Sequence, residues 1–181
     1  MLGSMAADTV TMVGKLDPRG GWEASDCAIA RAMDVVGTRS AFLLMREAFY
    51  GTTRFDEFAQ RVGISEPVAA ARLKELVDLG LLDRHPYQEP GKRTRLEYRL
   101  TDMGVDLFPA LVALHRWGDR WLTPAGVEMQ HHNCGAPVRA ELRCDKGHPL
   151  TIGDVDLVAR PRTSHSTQAH INPDESRSDP C

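Results

Sequence analysis

The pattern of hydrophobic and polar positions divides the chain into regions of different order. Residues 1–21 are glycine-rich and irregular, residues 22–122 are strongly periodic, and the remainder loses helical periodicity. Beyond residue 160 large apolar side chains are almost absent, so burial cannot offset the entropy of ordering. We therefore predict a flexible N-terminal extension (1–21), one folded domain (22–122), a small extension (123–160) for which a β-hairpin is one option, and a disordered tail (161–181).

The periodic region opens with two helices. Ser25 or Asp26 caps the first, which ends at Gly37. The second begins at Ser40 and ends at Gly51, and its continuous run AFLLMREAFY predicts a helix buried on most sides. The apolar residues of the first helix are spaced for one buried face: Cys27, Ile29, Ala30, Met33 and Val36.

A helix-turn-helix is predicted next. Thr53 precedes the third helix, RFDEFAQRV, and Gly63 ends it in the way a residue at positive φ would. Ser65 then caps a helix that runs through Asp78, with Pro67 tolerated in its first turn. Two helices joined by a short glycine-containing turn are the signature of this motif.

After Gly80 the hydrophobic period changes from that of a helix to that of a strand. Two alternating runs, separated by the turn EPGKRT, predict a β-hairpin with a basic tip. From Arg84 to Arg99 the chain carries five Lys or Arg against two acids. The whole chain has a net charge of -3, so a nucleic-acid binder of this composition has to concentrate basic residues locally, and the hairpin does so.

Thr101 is predicted to cap a last, long helix that Pro109 kinks or divides. Its apolar surface is larger than a lone terminal helix needs, so we expect it to pack against a second copy of the chain. The predicted fold is mainly α with a small β-hairpin (α+β), a winged helix-turn-helix with a C-terminal dimerisation helix. The predicted dimer interface comprises Leu107, Leu111, Leu114, Trp117 and Trp121.

Composition excludes several other classes of protein. No stretch approaches the roughly 18 consecutive apolar residues of a membrane span, and the start lacks the features of a secretion signal. The four cysteines show no disulfide framework, which suits a reducing compartment. We expect a cytoplasmic protein without membrane partners. No paired carboxylates, Ser/His/Asp grouping or phosphate loop stands in a convincing context, which argues against an enzyme.

The segments CAIARAMDVVG, FLLMREAFYGTTRFDEFAQRVGIS, ARLKELVDLGLLDRHPYQ, RLEYRLTDMGVDLFPAL and WGDRWL agree in order and spacing with a known family. Over residues 27–122 the chain resembles the HxlR-type winged helix regulators, a bacterial family related to the MarR group. The resemblance implies dimers held by the terminal helices, binding of palindromic operators, and sensing of reactive or aromatic compounds in some members.

In such a regulator the helix from Ser65 to Asp78 lies in the major groove, and wing residues 89–95 meet phosphates in or beside the minor groove. Where relatives often carry a basic or polar residue and a serine, this chain has Pro67 and Ala70. Either thymine methyls and DNA shape supply specificity, or the operator is unusual, or DNA binding has weakened. The candidate DNA-binding residues are Arg54, Ser65, Glu66, Pro67, Val68, Ala70, Ala71, Arg72, Lys74, Lys92, Arg93 and Arg95.

Two features bear on regulation. Cys27 begins the first helix, where free backbone N–H groups and the helix dipole raise the reactivity of a thiol, while Asp26 opposes this. The resemblance implies redox sensing at this cysteine in some members, and a buried small hydrophobic residue is the alternative interpretation.

A pocket for an aromatic effector is expected between the core and the dimer helices, near Phe42, Met45, Leu111 and Trp117.

The segment HHNCGAPVRAELRCDKGHPL holds five potential zinc ligands within eighteen residues: His131, His132, Cys134, Cys144 and His148. The candidate metal ligands are Cys134, Cys144 and His148. The second half lacks the cysteine that would complete a CxxC motif. No cofactor is required by the predicted function, so zinc stays an option beside a metal-free β-hairpin packed near the dimer helix.

The sequence thus predicts a homodimeric transcriptional repressor that binds double-stranded DNA, with a small-molecule or oxidant effector as an open option. The alternative is a winged-helix module for protein or ligand binding with weak or no affinity for DNA. Pro67 and the neighbouring alanines favour this alternative slightly, because they offer few hydrogen-bonding groups to base edges.

Overall fold

The computed structural model describes residues 9–17, 27–88, 90–91, 93–122 and 126–159. These residues form two compact units, a larger one (27–150) and a smaller one (9–17 with 151–159). The elements in chain order are β1 (Thr11–Val13), α1 (Ala28–Val36), α2 (Arg39–Phe49), α3 (Phe55–Val62), α4 (Glu66–Asp78), β2 (Leu82–Tyr87), β3 (Arg95–Leu100), α5 (Asp102–Val105), α6 (Phe108–Trp121) and β4 (Asp156–Val158).

The core of the larger unit lies where α2, α3, α4 and the base of the hairpin meet. Its fully buried large side chains are Leu44, Met45, Phe58, Leu73, Leu76 and Leu82. The Phe58 ring meets the Tyr98 ring edge-on at 5.9 Å, which joins α3 to the hairpin. The predicted winged helix-turn-helix fold is therefore confirmed.

The helix boundaries follow the local chemistry of the chain. Thr38, two residues before the predicted start, caps α2, because its hydroxyl accepts a 3.1 Å hydrogen bond from the Ala41 N–H. The predicted caps Ser25 and Asp26 lie outside the described residues, and Cys27 is the first residue before α1. Gly63 ends α3 at φ 70°, as predicted.

The predicted long last helix is divided. Thr101 caps α5 by accepting a 3.0 Å hydrogen bond from the Gly104 N–H, and its hydroxyl donates to the Gly80 carbonyl at 2.6 Å. A second helix, α6, then begins at Phe108 with Pro109 in its first turn, where a missing N–H costs nothing. Pro109 thus marks the predicted division.

The first helix differs from its prediction. Of the residues expected to form a buried face, only Val36 is buried, whereas Ile29 is 72% exposed and Met33 is 52% exposed. The apolar spacing was correctly recognised, but the rest of the described chain does not cover this face.

The smaller unit places a strand inside the segment for which an irregular, flexible structure was expected. Here β1 pairs in parallel with β4, with Thr11 opposite Asp156. The Thr151 hydroxyl and N–H both donate to Asp154 at the turn before β4, and these bonds hold the pKa of that carboxyl below its ordinary value. The expected disordered tail (161–181) lies outside the described residues.

The segment 126–150 contains two isolated antiparallel bridges, Gln130 with Pro137 and Arg143 with Pro149, instead of the single hairpin that was an option. None of its side chains is buried. Within the described ranges, no helix is long and apolar enough to cross a membrane.

Candidate nucleic-acid interface

The second helix of the helix-turn-helix is held by one face and open on the other. Ala69, Leu73 and Leu76 of α4 are buried against the core, which fixes the axis and rotation of the helix. The opposite face begins right after the turn at Gly63 and is exposed, so this face of α4 can enter a groove of DNA. Its exposed predicted residues are Ser65, Glu66, Pro67, Val68, Ala70, Ala71 and Lys74.

The exposed face of α4 offers little free positive charge to DNA. Arg72, which is half-buried, pairs with Glu75 at 2.6 Å, and Lys74 pairs with Asp78. Both predicted cations of α4 are therefore compensated within the helix. Apart from the Ser65 hydroxyl and the Glu66 carboxylate, the first turns present methyl and methylene groups, which complement thymine methyl groups better than polar base edges.

The wing, where β2 and β3 form an antiparallel hairpin from the Leu82–Leu100 pair to the Tyr87–Arg95 pair, carries basic residues that are free to meet phosphates. Arg93 and Arg95 are exposed, and neither has an ion-pair partner among the described residues. Lys92, also predicted to bind DNA, lies outside the described residues. The wing thus supplies the positive charge that α4 lacks.

Arg54 joins the wing to the helix-turn-helix. It immediately precedes α3, pairs with Glu97 of β3 through a β-bridge, and places its guanidinium 5.3 Å from the ring centre of Tyr87. The neighbouring Thr53 carbonyl accepts a 2.8 Å hydrogen bond from the Tyr98 N–H. Arg54 therefore connects the start of α3 to the part of the hairpin near its tip, while its side chain stays exposed.

Sequence reasoning did not single out Arg84 as a site residue. Its guanidinium lies 5.7 Å from the ring centre of Tyr98, its cross-strand neighbour, and the residue is exposed. The alternation of residues along β2 was the available signal, since it predicted which face of the hairpin carries Arg84.

The predicted dimer residues separate into two groups. Leu111 is 4% exposed and so presents no face to a partner, contrary to the prediction, whereas Leu107 is half-buried against the core of its own chain. Leu114, Trp117 and Trp121 are 52%, 54% and 63% exposed. The difference arises because α6 packs its first turn on the core and then extends beyond it.

A cavity of about 660 Å³ lies beside α6, but not where a pocket was expected. Of the residues expected near a pocket, Trp117 lines this cavity, whereas Met45 and Leu111 are buried in the core and Phe42 does not line it. The walls come from α6 and from residues 127–129 and 138. The Nε2 atom of His115 is buried there without a hydrogen-bond partner, beside Arg116, Arg120 and two tryptophans.

The predicted redox and metal residues occupy separate places. Cys27 is half-buried with a free thiol at the start of α1. His131 Nδ1 lies 3.1 Å from Cys134 Sγ, and Cys144 Sγ lies 3.4 Å from His148 Nδ1. Within the described part of the chain, no three His, Cys, Asp or Glu side chains come together as a metal-binding group.

Comparisons with known proteins agree with this geometry. Residues 35–126 match the profile of the family described as HxlR-like helix-turn-helix. An uncharacterised HTH-type transcriptional regulator of Mycobacterium tuberculosis is 44% identical over 132 residues, which cover 71% of this chain and 82% of the relative. The crystal structure of PA1607, a candidate transcription factor, superposes with a TM-score of 0.64 at 36% identity, covering 78% of this chain and 96% of that one. PA1374 of Pseudomonas aeruginosa, another candidate transcription factor, gives 0.54 at 32% identity, over 77% and 96% of the two chains.

Proposed function

Since the chain belongs to the HxlR-like helix-turn-helix family, we propose that it acts as a homodimeric repressor on a palindromic operator. The protein is a transcriptional regulator with a helix-turn-helix DNA-binding fold, not an enzyme. Repression is the simplest output of a small DNA-bound dimer, because occupation of the operator excludes other proteins from the same DNA.

The dimer is supported by apolar side chains that the chain leaves exposed on two helices. Ile29 and Met33 of α1, and Leu114, Trp117 and Trp121 of α6, are each more than half exposed. Monomers rarely leave so many large apolar groups in water, and a two-fold axis buries the same patch on both copies. A two-fold dimer carries two copies of α4, so its operator has two inverted half-sites.

The observation that carries the DNA-binding mode is the combination of an anchored α4, whose cations are both paired, with a wing whose Arg93 and Arg95 have no ion-pair partner in the described residues. In this mode α4 enters the major groove and reads thymine methyls and groove shape through Pro67, Val68 and Ala70. The wing arginines bind phosphates and supply most of the affinity.

The test is binding of the protein to its own promoter duplex and to a scrambled duplex, measured by fluorescence anisotropy over a series of salt concentrations. Each phosphate contact contributes about 0.9 to the slope of log affinity against log salt. A dimer that lacks Arg93 and Arg95 loses four cations, so the double variant Arg93→Ala/Arg95→Ala should lower the slope by about 3.6. We expect the loss to be similar on both duplexes, because phosphate contacts carry no sequence information.

The matched control is Arg31→Ala/Arg139→Ala, which removes the same charge from exposed positions on α1 and on the extension. This control should leave the slope unchanged. Equal slopes for the two double variants would contradict the role of the wing. If the unaltered protein shows neither salt dependence nor preference for its promoter, the protein-interaction or ligand-binding module becomes the better proposal.

We also propose that oxidants or electrophiles act through Cys27. The thiol lies next to α1, whose exposed Ile29 and Met33 belong to the proposed dimer face, so a modification there alters the spacing of the two α4 helices. Mild peroxide or quinone treatment should modify Cys27 and weaken operator binding by about 5-fold or more, the lower range of allosteric couplings. The Cys27→Ser protein should not respond. Mass spectrometry that finds Cys27 unmodified, with unchanged DNA affinity, would rule out this switch.

A further inference from the structure

The cavity beside α6 has one wall from the winged domain and one from the segment that follows it. The first wall is the face of α6 from Val112 to Trp121, and the second consists of residues 127–129 and Val138. The match to the family profile ends at residue 126, so the second wall lies outside the shared domain. The volume of about 660 Å³ falls within the roughly 300–1,000 Å³ of small-molecule sites, so the cavity can hold a small organic ligand.

Hydrogen bonds hold the second wall against α6. Arg116 donates from Nη1 to the Val138 carbonyl at 3.2 Å. The Val138 N–H donates to the Met129 carbonyl at 2.8 Å, which joins the two parts of this wall, and the bridge between Gln130 and Pro137 lies directly beside them. The cavity is therefore formed by the folded chain itself, as is usual for small-molecule sites.

The apolar part of the lining suits a flat ring. Trp117 and Trp121 stand one turn apart on α6 and are 54% and 63% exposed. Buried Val112 and half-buried Met129 add aliphatic surface. Indole rings stack favourably on other aromatic rings, and their exposed faces gain from being covered. The lining therefore favours a planar aromatic ligand.

The charge that the lining leaves open is positive. Arg116 and Arg120 also stand one turn apart on α6, and neither has an ion-pair partner within the described ranges. The two carboxylates of the lining are already engaged, since Glu128 accepts a 2.8 Å hydrogen bond from Gln130 and Asp119 has a partner of its own. A guanidinium binds a carboxylate through two parallel N–H groups, so the ligand group that fits best is a carboxylate.

Two further observations concern the polar groups of this region. The Arg120 guanidinium lies 4.7 Å from the ring centre of Trp121, and a guanidinium stacked on an indole keeps the N–H groups at its edge available. His115 also lines the cavity, and its Nε2 atom is buried without a hydrogen-bond partner in the described residues. Such atoms are uncommon in folded proteins, so the chain alone does not complete the polar contacts here.

We propose that this cavity binds a planar aromatic carboxylate, with the ring against Trp117 and Trp121 and the carboxylate on Arg116 and Arg120. The second wall covers the ring from the side opposite α6. The same tryptophans belong to the proposed dimer face, so occupation of the cavity should also alter the dimer and its affinity for DNA. Only this second consequence rests on the proposed function.

The experiment titrates the full chain with naphthoate in an isothermal titration calorimeter. Naphthylmethanol and naphthylmethylammonium carry the same ring with a neutral or a positive group and are titrated beside it. We expect naphthoate to saturate at one equivalent per chain and to bind at least about 10-fold more tightly than the other two, because a hydrogen bond to a charged group contributes enough for that factor. No saturable binding of naphthoate, or equal affinities for the three compounds, would overturn the proposal.

The carboxylate contact is tested by Arg120→Gln, which removes the charge and keeps a polar side chain. This variant should weaken naphthoate binding by about 10-fold or more and leave naphthylmethanol binding unchanged. The matched control is Arg139→Gln, because Arg139 is exposed next to Val138 but does not line the cavity. If Arg120→Gln binds naphthoate as Arg139→Gln does, the carboxylate is not held as proposed.

The second wall is tested by Val127→Asp, which adds a carboxylate at an exposed lining position. Like-charge repulsion should lower the affinity for naphthoate by about 10-fold or more. The control Leu142→Asp makes the same change at an equally exposed position outside the lining and should have no effect. Circular dichroism checks that each variant keeps its helices. Equal affinities for these two variants would exclude the second wall from the site and overturn the proposal.

Fluorescence anisotropy of the promoter duplex, with and without saturating naphthoate, measures the second consequence. A change in DNA affinity of about 5-fold or more is expected, the lower range of allosteric couplings. The calorimetric titration involves no DNA, so its result does not depend on whether the protein is a repressor. Unchanged DNA affinity at saturation would overturn the coupling of the cavity to the dimer.

Discussion

Replacing Phe58 by Ala should lower the free energy of unfolding by about 3–5 kcal/mol, the range measured for large aromatic residues in protein cores. Phe58 is completely buried in α3, and its ring packs edge-on against Tyr98 of the wing at 5.9 Å. Its removal leaves a cavity between the helix-turn-helix and the wing. Urea denaturation followed by circular dichroism measures the loss.

The control for this substitution is Phe108→Ala. Phe108 is 39% exposed, and its ring lies 5.2 Å from that of Phe49, so it has an aromatic neighbour but less burial to lose than Phe58. We expect a loss of about 1 kcal/mol or less, as for most partly exposed positions. Losses of similar size for the two variants would contradict the placement of the core around Phe58.

Gly104→Ala should be the second severe substitution, with a loss of about 2–3 kcal/mol. Gly104 is buried in α5, and a Cβ atom there would lie 2.2 Å from the Leu81 carbonyl oxygen. Because that oxygen belongs to the backbone just before β2, the overlap is relieved only by moving α5 away from the wing. A thermal or urea melt of the purified variant measures the effect.

The control is Gly126→Ala, where an added Cβ meets no atom within 4 Å and the backbone has no positive φ. A change within about 0.5 kcal/mol is expected there. If Gly104→Ala is as stable as the unaltered protein, α5 does not approach Leu81 as closely as described.

Local chemistry made much of the fold predictable from the sequence. The hydrophobic period distinguished helices from strands, Gly63 marked the turn of the helix-turn-helix, and Pro109 marked the division of the last helix. Each of these signals acts within a few residues, so one sequence is enough to detect it. The exposed face of α4 was predictable for the same reason, because the apolar stripe of a helix also identifies the positions that lie opposite it.

Long-range partners were not predictable in the same way. Periodicity identified apolar residues on α1 and α6 but not what covers them, so Ile29 was expected in the core and Leu111 at a partner's surface, the reverse of their exposures. Likewise, the ion pair of Arg72 with Glu75 depends on rotamers, and composition alone does not fix them. The pairing of β1 with β4 joins two short segments with no distinctive pattern.

That pairing also sets an order on folding. Thr11 and Asp156 are neighbours in space but about 145 residues apart in the chain, so a long loop must close before the strands meet. Within the described chain, each of these strands has only the other as its partner. They should therefore pair after the rest of the chain has folded. Removing one of the two strands would leave the other with unpaired backbone N–H and C=O groups, which can pair with another chain.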